Sequence, residues 1–259
     1  MRAQCITNPR NPVFEKHAAL FTDALSHRRD PRQQAISIGS HIRRLRPLSY
    51  SILDLGCGAG DLSAGLNAQG FKVIGVDRSK QMISIAKRFS PPTSTRQWVC
   101  ADFMNQSLPD KSDVVLLLYS VIQTFPTREM QQGCINKLFS YLRPNGLCFI
   151  ECSHKRFSDK AYPFGDKFIN RTGKYELESW CFRLSYSTRE LHILAKRKND
   201  DKDMVEFIHL LKMYDIRTLS SMIKNAGGKV IGVYASPDFT KPFDVEKSRG
   251  MLIISTPLG

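Results

Sequence analysis

The sequence has 259 residues, of which 42% are hydrophobic, with seven cysteines and a formal net charge of +14. This length suffices for a large domain with a substantial core, and no apolar run approaches the roughly 20 residues that a membrane-spanning helix needs. The N-terminal residues contain no apolar stretch of the secretory-signal type, and an odd number of cysteines without a C-x-x-C pair excludes a complete disulfide framework. We therefore expect a cytoplasmic protein with reduced thiols and no metal centre.

The positive charge is concentrated in the two flanking parts of the chain. Residues 1–50 contain nine Lys and Arg against three Asp and Glu, residues 51–151 contain ten against eight, and residues 152–259 contain nineteen against thirteen. Such flanks suit an anionic small molecule, a nucleic acid or an ordinary solvated surface. Charge alone leaves all three interpretations open.

The first 47 residues have helical periodicity. Phe14, Ala18, Phe21 and Leu25 recur at intervals of three and four, as on one face of a helix, and a second helix is expected to end in the basic segment 43–46. We predict an N-terminal helical cap over residues 1–47.

Short apolar runs and amphipathic stretches alternate from residue 48 to residue 152. The predicted strands lie at 52–55, 73–76, 97–100, 114–118 and 147–152, and the predicted helices at 62–68, 79–88 and 128–142. This alternation is typical of a parallel sheet with helices on both faces. A helix at 216–225 and strands at 229–234 and 251–255 are expected to complete the core, which would comprise 48–152 and 215–259.

The segment between these two parts has another pattern. From residue 168 to residue 213, aromatic and β-branched residues alternate with polar ones, and one polar turn is expected at 198–203. Three or four antiparallel strands follow from this pattern. The predicted fold is α/β, with a doubly wound, mostly parallel, seven-stranded Rossmann-like sheet, the helical cap, and an antiparallel insertion (153–214) that forms a lid or substrate layer.

A glycine-rich turn follows the first predicted strand. Residues 52–62 read ILDLGCGAGDL, so that Gly56, Gly58 and Gly60 alternate between a strand and a helix. Glycines allow a ligand to approach the backbone closely, and the helix N-terminus is close by. Asp61 stands where the dinucleotide fingerprint has its third glycine, and its charge would repel a pyrophosphate. The pattern predicts a nucleotide-type ligand other than NAD or FAD.

This turn resembles the first motif of the class I S-adenosylmethionine-dependent methyltransferases, and further pieces follow in the order of that family. FKVIGVD at 71–77 is similar to the second strand with its terminal acid, and WVCADF at 98–103 to the adenine-binding piece. DVVLLLYSV at 113–121 resembles the fourth strand with the loop that faces the methyl group, and LRPNGL at 142–147 resembles the turn into the fifth strand.

The resemblance implies S-adenosylmethionine as co-substrate. Asp77 would accept the ribose hydroxyls, Asp102 would accept from the adenine amine, Phe103 would pack on the base, and Met82 would either cover the adenine or belong to the core. The cofactor-binding residues implied in this way are Asp54, Gly56, Cys57, Gly58, Gly60, Asp77, Arg78, Met82, Asp102, Phe103 and Tyr119.

The acceptor side is less well defined. The loop at 119–126 is not of the Asn-Pro-Pro-Tyr type found in amino-methyltransferases of DNA and protein glutamine, and it is closer to small-molecule N- and O-methyltransferases. Methyl transfer is an in-line displacement, which needs alignment and exclusion of water above all. Ligands bind at the carboxyl ends of strands in such sheets. The candidate catalytic residues are therefore Glu151 and His154 as bases or orienting groups and Tyr119 and Tyr175 as orienting groups, with Gln123 and Tyr186 in addition.

Three functions remain open in the order in which we favour them. The first is methyl transfer to N or O of a small molecule, anionic or neutral, in specialised metabolism. The second is cyclisation of the donor with release of methylthioadenosine, and the third is RNA methylation, suggested by the net charge. The basic residues are not interleaved with aromatic ones as on single-strand platforms, so a nucleic-acid partner ranks last but stays open. We expect no membrane partner. A monomer and a homodimer are both compatible with the sequence.

Overall fold

The computed structural model describes residues 13–20, 22, 30–108, 110–155, 167–170, 175–185, 187–198, 200–236 and 238–258. Up to the fifth strand, the elements in chain order are α1 (Val13–Lys16), α2 (Pro31–Leu45), β1 (Ser51–Leu55), α3 (Asp61–Asn67), β2 (Lys72–Asp77), α4 (Lys80–Phe89), β3 (Arg96–Cys100), β4 (Ser112–Leu117), a 3-10 turn (Val121–Thr124), α5 (Arg128–Ser140) and β5 (Leu142–Ser153). The remaining elements are β6 (Lys167–Asn170), β7 (Tyr175–Ser185), β8 (Thr188–Arg197), β9 (Asp200–Lys212), α6 (Ile216–Asn225), β10 (Gly228–Ser236) and β11 (Gly250–Pro257).

Helices α2, α4 and α6 begin at side chains that accept hydrogen bonds from their first turns. Asp30 accepts from the main-chain N–H groups of Arg32 and Gln33 at 3.0 and 3.1 Å, ahead of Pro31 at the first helical position. Ser79 caps α4 and Asp215 caps α6 in the same way. These residues satisfy N–H groups that the helix itself leaves without acceptors.

Seven strands form one sheet, here called the core sheet, in the order β10-β11-β5-β4-β1-β2-β3. The five strands from β5 to β3 are parallel, and β11 is antiparallel to both of its neighbours, β5 and β10. The chain proceeds from β1 to β3 in one direction and from β4 to β5 in the other. The carboxyl ends of β1 and β4 therefore flank the switch point at which open α/β sheets bind ligands.

The core sheet is buried on both faces. One face packs on α2 and α3 through a cluster that includes Ile38, Leu62 and Phe149. The other face packs on α5 and α6 through a cluster that includes Ile135 and Ile223. Burial on both sides explains why residues 114–117 of β4 and 147–150 of β5 are continuous apolar runs rather than alternating ones.

Strands β6 to β9 form a second, antiparallel sheet, here called the insertion sheet, in the order β6-β7-β8-β9. Together with the core sheet it confirms the predicted fold class. The predicted turn at 198–203 is shorter than expected, because β9 already begins at Asp200. Of the stripe predicted for the first helix, Phe21 and Leu25 lie outside the described residues. No helix in the described part of the chain is long and apolar enough to span a membrane.

One face of the insertion sheet is here called the inner face. It is formed by every second residue of β7, β8 and β9. Leu177, Ile193 and Ala195 form a buried cluster there with Leu20, and Phe14, Leu191 and Val205 pack around it. His209 pairs directly with Leu191 and belongs to the same face. The N-terminal residues therefore cover part of the inner face.

Candidate active site

The glycine turn after β1 has a left-handed backbone at each of its glycines. The φ angles of Gly56, Gly58 and Gly60 are 76°, 56° and 82°, in the region that glycine adopts at little cost. The N–H groups of Gly56 and Cys57 donate to the carbonyl of Val76 at 2.8 and 3.0 Å. The turn is therefore fastened to the end of β2.

Gly58 and Gly60 are needed for different reasons. A Cβ atom at Gly60 would lie 2.5 Å from a ring carbon of Trp98, so that close packing requires glycine there. A Cβ atom at Gly58 would meet nothing within 4 Å. The main chain at Gly58 therefore leaves room for a ligand to approach it, which fits a donor held by backbone contacts.

Asp77 ends β2 beside this turn. Its two oxygens accept the N–H groups of Gly58 and Ser79, each at 2.9 Å. Burial raises the pKa of the carboxyl group, and these two hydrogen bonds lower it. The carboxylate is held in place, and each oxygen keeps a second lone pair for another donor, such as a hydroxyl group.

Asp54 and Cys57 lie beneath the turn. Asp54 is 3% exposed and accepts a hydrogen bond from the Ser63 hydroxyl. Burial, with a smaller contribution from the charge of Asp77, raises the pKa of Asp54 to about 6 against the opposing effect of the Ser63 hydrogen bond. Cys57 packs into a buried cluster that includes Trp98, and burial raises the pKa of its thiol. Asp54 thus links β1 to α3, and Cys57 packs the turn against α4 and β3.

Other residues predicted on the donor side follow β2 and β3. Met82 is buried in the first turn of α4, where the Thr22 hydroxyl lies 3.8 Å from its sulfur atom. Arg78 is exposed. Asp102 accepts from the main-chain N–H of Met104 and from the Asn105 side chain, at 3.1 and 2.8 Å, and so stabilises its own loop.

The aromatic neighbour of Asp102 lies in the core. The ring of Phe103 is buried and meets that of Phe125 edge-on, with centroids 6.4 Å apart. The adenine contacts predicted for Asp102 and Phe103 remain predictions.

The loop after β4 has an unusual backbone, supported by Glu151. Tyr119 and Ser120 have φ angles of 55° and 64°, in the left-handed region that residues other than glycine seldom adopt. Glu151 is 1% exposed and accepts the main-chain N–H of Tyr119 with one oxygen and the Ser236 hydroxyl with the other. The Tyr119 hydroxyl donates to the Gln34 side chain at 2.9 Å. Backbone strain of this kind concentrates at functional sites.

Of the remaining acceptor-side candidates, His154 lies at the junction of the core sheet and the insertion, where it forms a β-bridge with Tyr214. His154 is buried, its main-chain N–H donates to the carbonyl of Arg249 at 3.2 Å, and its ring lies 5.1 Å from that of Phe243. Tyr175 begins β7, but its side chain and all of Tyr186 lie outside the described residues. His154 therefore lies towards the β10–β11 loop rather than beside the glycine turn.

Gln123 joins the core to the insertion sheet. It is completely buried, its Oε1 accepts the main-chain N–H of Ser153 at 2.8 Å, and its Nε2 donates to the carbonyl of Lys212 at 2.7 Å. The sequence indicated Gln123 as an orienting group through its position after the fourth strand. Its role as a link appears only in the folded chain, because Lys212 is distant in sequence.

These features define a class of protein. A strand, a glycine turn and a helix at the switch point of a mostly parallel sheet, with an acid at the end of the next strand, form a nucleotide-binding site of the Rossmann-like type. Within the described residues, no group of three His, Cys, Asp or Glu side chains could hold a metal ion. What the described residues offer at the switch point is a set of main-chain groups and carboxylates.

Comparison with known proteins specifies the class. Residues 52–146 match the methyltransferase domain family. A putative methyltransferase of Geobacillus sp. (strain WCH70) is 24% identical over 215 residues, which cover 79% of this chain and 83% of the relative. With the fold and the order of the motifs, the family match supports an S-adenosylmethionine-dependent methyltransferase domain over residues 52–146, with S-adenosylmethionine as the co-substrate.

Solved structures share this fold across almost the whole chain. An S-adenosylmethionine-dependent methyltransferase from Clostridium acetobutylicum ATCC 824 has a TM-score of 0.81 at 14% identity and covers 94% of this chain and 98% of its own. CalS10, an amino pentose methyltransferase from Micromonospora echinaspora solved with S-adenosylmethionine bound, has a TM-score of 0.70 at 20% identity, with 92% and 97% covered. The likeness therefore extends beyond the core sheet to the insertion.

Proposed function

We propose that this methyltransferase acts on a nitrogen or oxygen atom of a small molecule, with an amine as the first acceptor to test. The observation that carries the proposal is that the insertion sheet is fastened to the core at two separate points, one on each side of the switch point. The similarity in fold to an amino pentose methyltransferase supports an amine acceptor.

The first point of attachment is close to the glycine turn. The Ser79 hydroxyl donates to the carbonyl of Phe14 at 2.7 Å, and Phe14 packs in turn against the inner face. The N-terminal segment thus connects the end of β2 with the insertion sheet. The second point is the Gln123 link between the loop after β4 and the end of β9.

Two attachments of this kind favour an enclosed space over a groove. A covered site excludes water and holds donor and acceptor in alignment, which is most of what methyl transfer requires. A long nucleic acid would instead need an open, basic surface. We therefore propose the division of the chain into a cap (1–47), a core (48–152 and 215–259) and an insertion (153–214) that covers the reacting groups.

On the donor side, we propose that the main chain from Gly56 to Gly60 and the carboxylate of Asp77 hold the co-substrate, with Met82 and Asp102 nearer to its base. S-adenosylmethionine, when bound, supplies an electrophilic methyl group. Asp54, Cys57 and Arg78 would act through the turn that they support or border.

On the acceptor side, we propose that Tyr119 orients the acceptor and that Glu151 is a positioning residue. Both oxygens of Glu151 hold groups of the fold, one of them the N–H of the left-handed residue Tyr119. His154 and Tyr175 would lie further out, as groups that shape the acceptor space.

The experiment is incubation with S-adenosylmethionine and a panel of acceptors, followed by mass spectrometry. The panel contains a nucleoside-diphosphate-linked amino sugar, a peptide with a free N-terminal amine, and a catechol. We expect methylated product together with S-adenosylhomocysteine. Release of methylthioadenosine without any acceptor would contradict methyl transfer and would indicate cyclisation of the donor.

Asp77→Asn tests the donor side of the same proposal. The variant should bind S-adenosylhomocysteine at least tenfold more weakly in calorimetry, because a charge-assisted hydrogen bond contributes about 1.5–3 kcal/mol. Asp110→Asn, at an exposed acid outside the proposed site, is the matched control and should bind normally. Unchanged affinity in a folded Asp77→Asn protein would remove Asp77 from the site.

A further inference from the structure

The inner face of the insertion sheet is mainly apolar. Its described polar members with buried or half-buried side chains are Ser179, Arg189 and His209, and the exposed Arg197 continues the same alternation at the end of β8. Ser179 and Arg189 are buried, and the guanidinium group of Arg189 donates to the carbonyls of Ser185 and Thr188 at 3.0 and 3.3 Å. Of these three side chains, His209 alone carries an ionisable ring, and it is half-buried where the other two are buried.

His209 is connected to the donor side by a short series of contacts. Its ring lies 5.7 Å from the ring of Phe14. The carbonyl of Phe14 accepts the Ser79 hydroxyl at 2.7 Å, and the main-chain N–H of Ser79 donates to Asp77 at 2.9 Å. The part of the inner face that carries His209 is therefore adjacent to the end of β2.

The surroundings of His209 keep its ring neutral. Protein encloses the ring closely enough that burial lowers its pKa to about 4. The side chain nevertheless retains part of its accessible surface, as expected of a group that lines an enclosed space. A neutral imidazole has one nitrogen that donates and one that accepts, so His209 can accept a hydrogen bond at neutral pH.

We infer that His209 binds the acceptor. A ring nitrogen accepts the hydrogen bond of the attacking N–H or O–H group and so directs the lone pair of that atom towards the methyl group. This inference rests on the proposed methyl transfer to a nitrogen or oxygen atom. It assigns a role in substrate orientation to a residue for which the sequence alone indicated none.

The step balances without any further reactant. The lone pair of the attacking atom forms the new bond to the methyl carbon, and the electron pair of the breaking carbon–sulfur bond stays on sulfur. The positive charge moves from sulfur to the attacking atom, whose proton remains hydrogen-bonded to His209 until it is lost to water. A neutral ring suits this step, because an imidazolium ion could not accept the hydrogen bond and would repel the developing charge.

Two variants separate the accepting nitrogen from the bulk of the ring. His209→Gln keeps a side-chain oxygen that accepts hydrogen bonds, whereas His209→Leu fills the space with an apolar group. His192 offers the matched control, since it lies on the opposite face of the same sheet, where it pairs with Glu190 and meets Phe182. His192→Gln and His192→Leu should behave like the unmodified protein in every measurement below.

The first measurement needs no acceptor. In protein with isotopically labelled histidine, the NMR signal of the His209 ring, assigned by its loss in His209→Gln, should shift when S-adenosylhomocysteine binds, and the signal of His192 should not. A His209 signal that stays unchanged in protein shown by calorimetry to be saturated would overturn the inference.

The second measurement is the steady-state rate with the nucleoside-diphosphate-linked amino sugar as the amine probe. His209→Leu should lower kcat/KM at least thirtyfold and His209→Gln at most fivefold, while affinity for S-adenosylhomocysteine stays within twofold. Equal rates for His209→Leu and the unmodified enzyme would overturn the inference. If the unmodified enzyme methylates no member of the acceptor panel, the proposed function fails, and the NMR shift still decides whether His209 faces the donor.

Discussion

The two sides of the site are built in different ways. The donor side consists of a turn and an acid that are close in sequence, from Gly56 to Asp77, and its hydrogen bonds join neighbouring elements. The acceptor side joins distant segments: Phe14 meets Ser79 and His209, and Gln123 meets Lys212. In the proposed site, the residues for the shared co-substrate are thus encoded locally, whereas those for the individual acceptor come together only in the tertiary fold.

The core sheet and the insertion sheet also differ, in the number of their faces that are covered. Strands β4 and β5 are covered on both faces by helices. The insertion sheet has one covered face, and its outer face exposes side chains such as Phe182 and Met204. We therefore expect the core sheet to be the more stable of the two and the insertion sheet to depend on its attachments.

The largest effect is expected from removal of residues 1–30. This deletion takes away Phe14 and Leu20, which cover the inner face, and leaves the core strands intact. Turnover should be lost and affinity for S-adenosylhomocysteine should fall, because a cover supplies binding area and excludes water. Circular dichroism should show that the core is still folded. Normal turnover and normal donor affinity in the truncated enzyme would show that the N-terminal helices only support the fold from outside.

Alanine at Gly60 and at Gly58 should separate stability from donor binding. At Gly60, the left-handed backbone costs about 1–2 kcal/mol and the contact with Trp98 about 1–3 kcal/mol more, so the melting temperature should fall sharply. At Gly58, only the backbone cost applies to stability, and the main loss should be in affinity for S-adenosylhomocysteine. Calorimetry and thermal unfolding of both variants check this. Equal losses of stability would argue against the close packing at Gly60.

Gln123→Ala should loosen the insertion without unfolding the core. It leaves the N–H of Ser153 and the carbonyl of Lys212 without their present partner. A buried polar group that lacks a hydrogen-bond partner costs about 1–3 kcal/mol of stability. Hydrogen exchange should rise in β8 and β9 and stay slow in β1 and β4. Gln97→Ala, at an exposed position in β3, should change neither. Faster exchange throughout the core would contradict the separation of the two sheets.

The smallest effect is expected from Asp54→Asn, and it should depend on pH. The folded protein raises the pKa of Asp54 to about 6 from 3.8, so above pH 6 the folded state holds an ionised, buried carboxylate that the unfolded chain holds in water. Asparagine removes that charge and should raise the free energy of unfolding by about 1–3 kcal/mol at pH 8. The gain should shrink as the pH falls from 6 towards 4. A gain that does not vary with pH would contradict the raised pKa.

Much of the donor side could be predicted from the sequence, because its signals are local. The alternating glycines and the acid at the end of the second strand appear together in the sequence and lie together in the fold. The start of β9 was predicted as a turn because residues 200–203 are all polar. Pairing with β8 nonetheless draws Asp200 into the sheet, since main-chain hydrogen bonds outweigh the weak strand preference of aspartate.

The acceptor side could not be predicted to the same degree. Glu151 lies in β5 and supports Tyr119 from that neighbouring strand. The second partner of Glu151 is Ser236 of β10. His209 carries no local motif, and its place near the end of β2 follows only from contacts with Phe14 and through it with Ser79. Contacts of this kind are properties of the tertiary structure, and spacing along the chain does not reveal them.

The position of β11 has a consequence for how this enzyme is made. The strand lies between β5 and β10, and Ile253 pairs with Ile150. One edge of β5 therefore stays unpaired until residues about a hundred positions later in the chain have been synthesised. During translation, that hydrophobic edge is exposed while the whole insertion sheet emerges from the ribosome. A nascent chain halted before residue 250 should therefore be prone to aggregation and a substrate for chaperones, whereas one released after residue 257 can close the sheet.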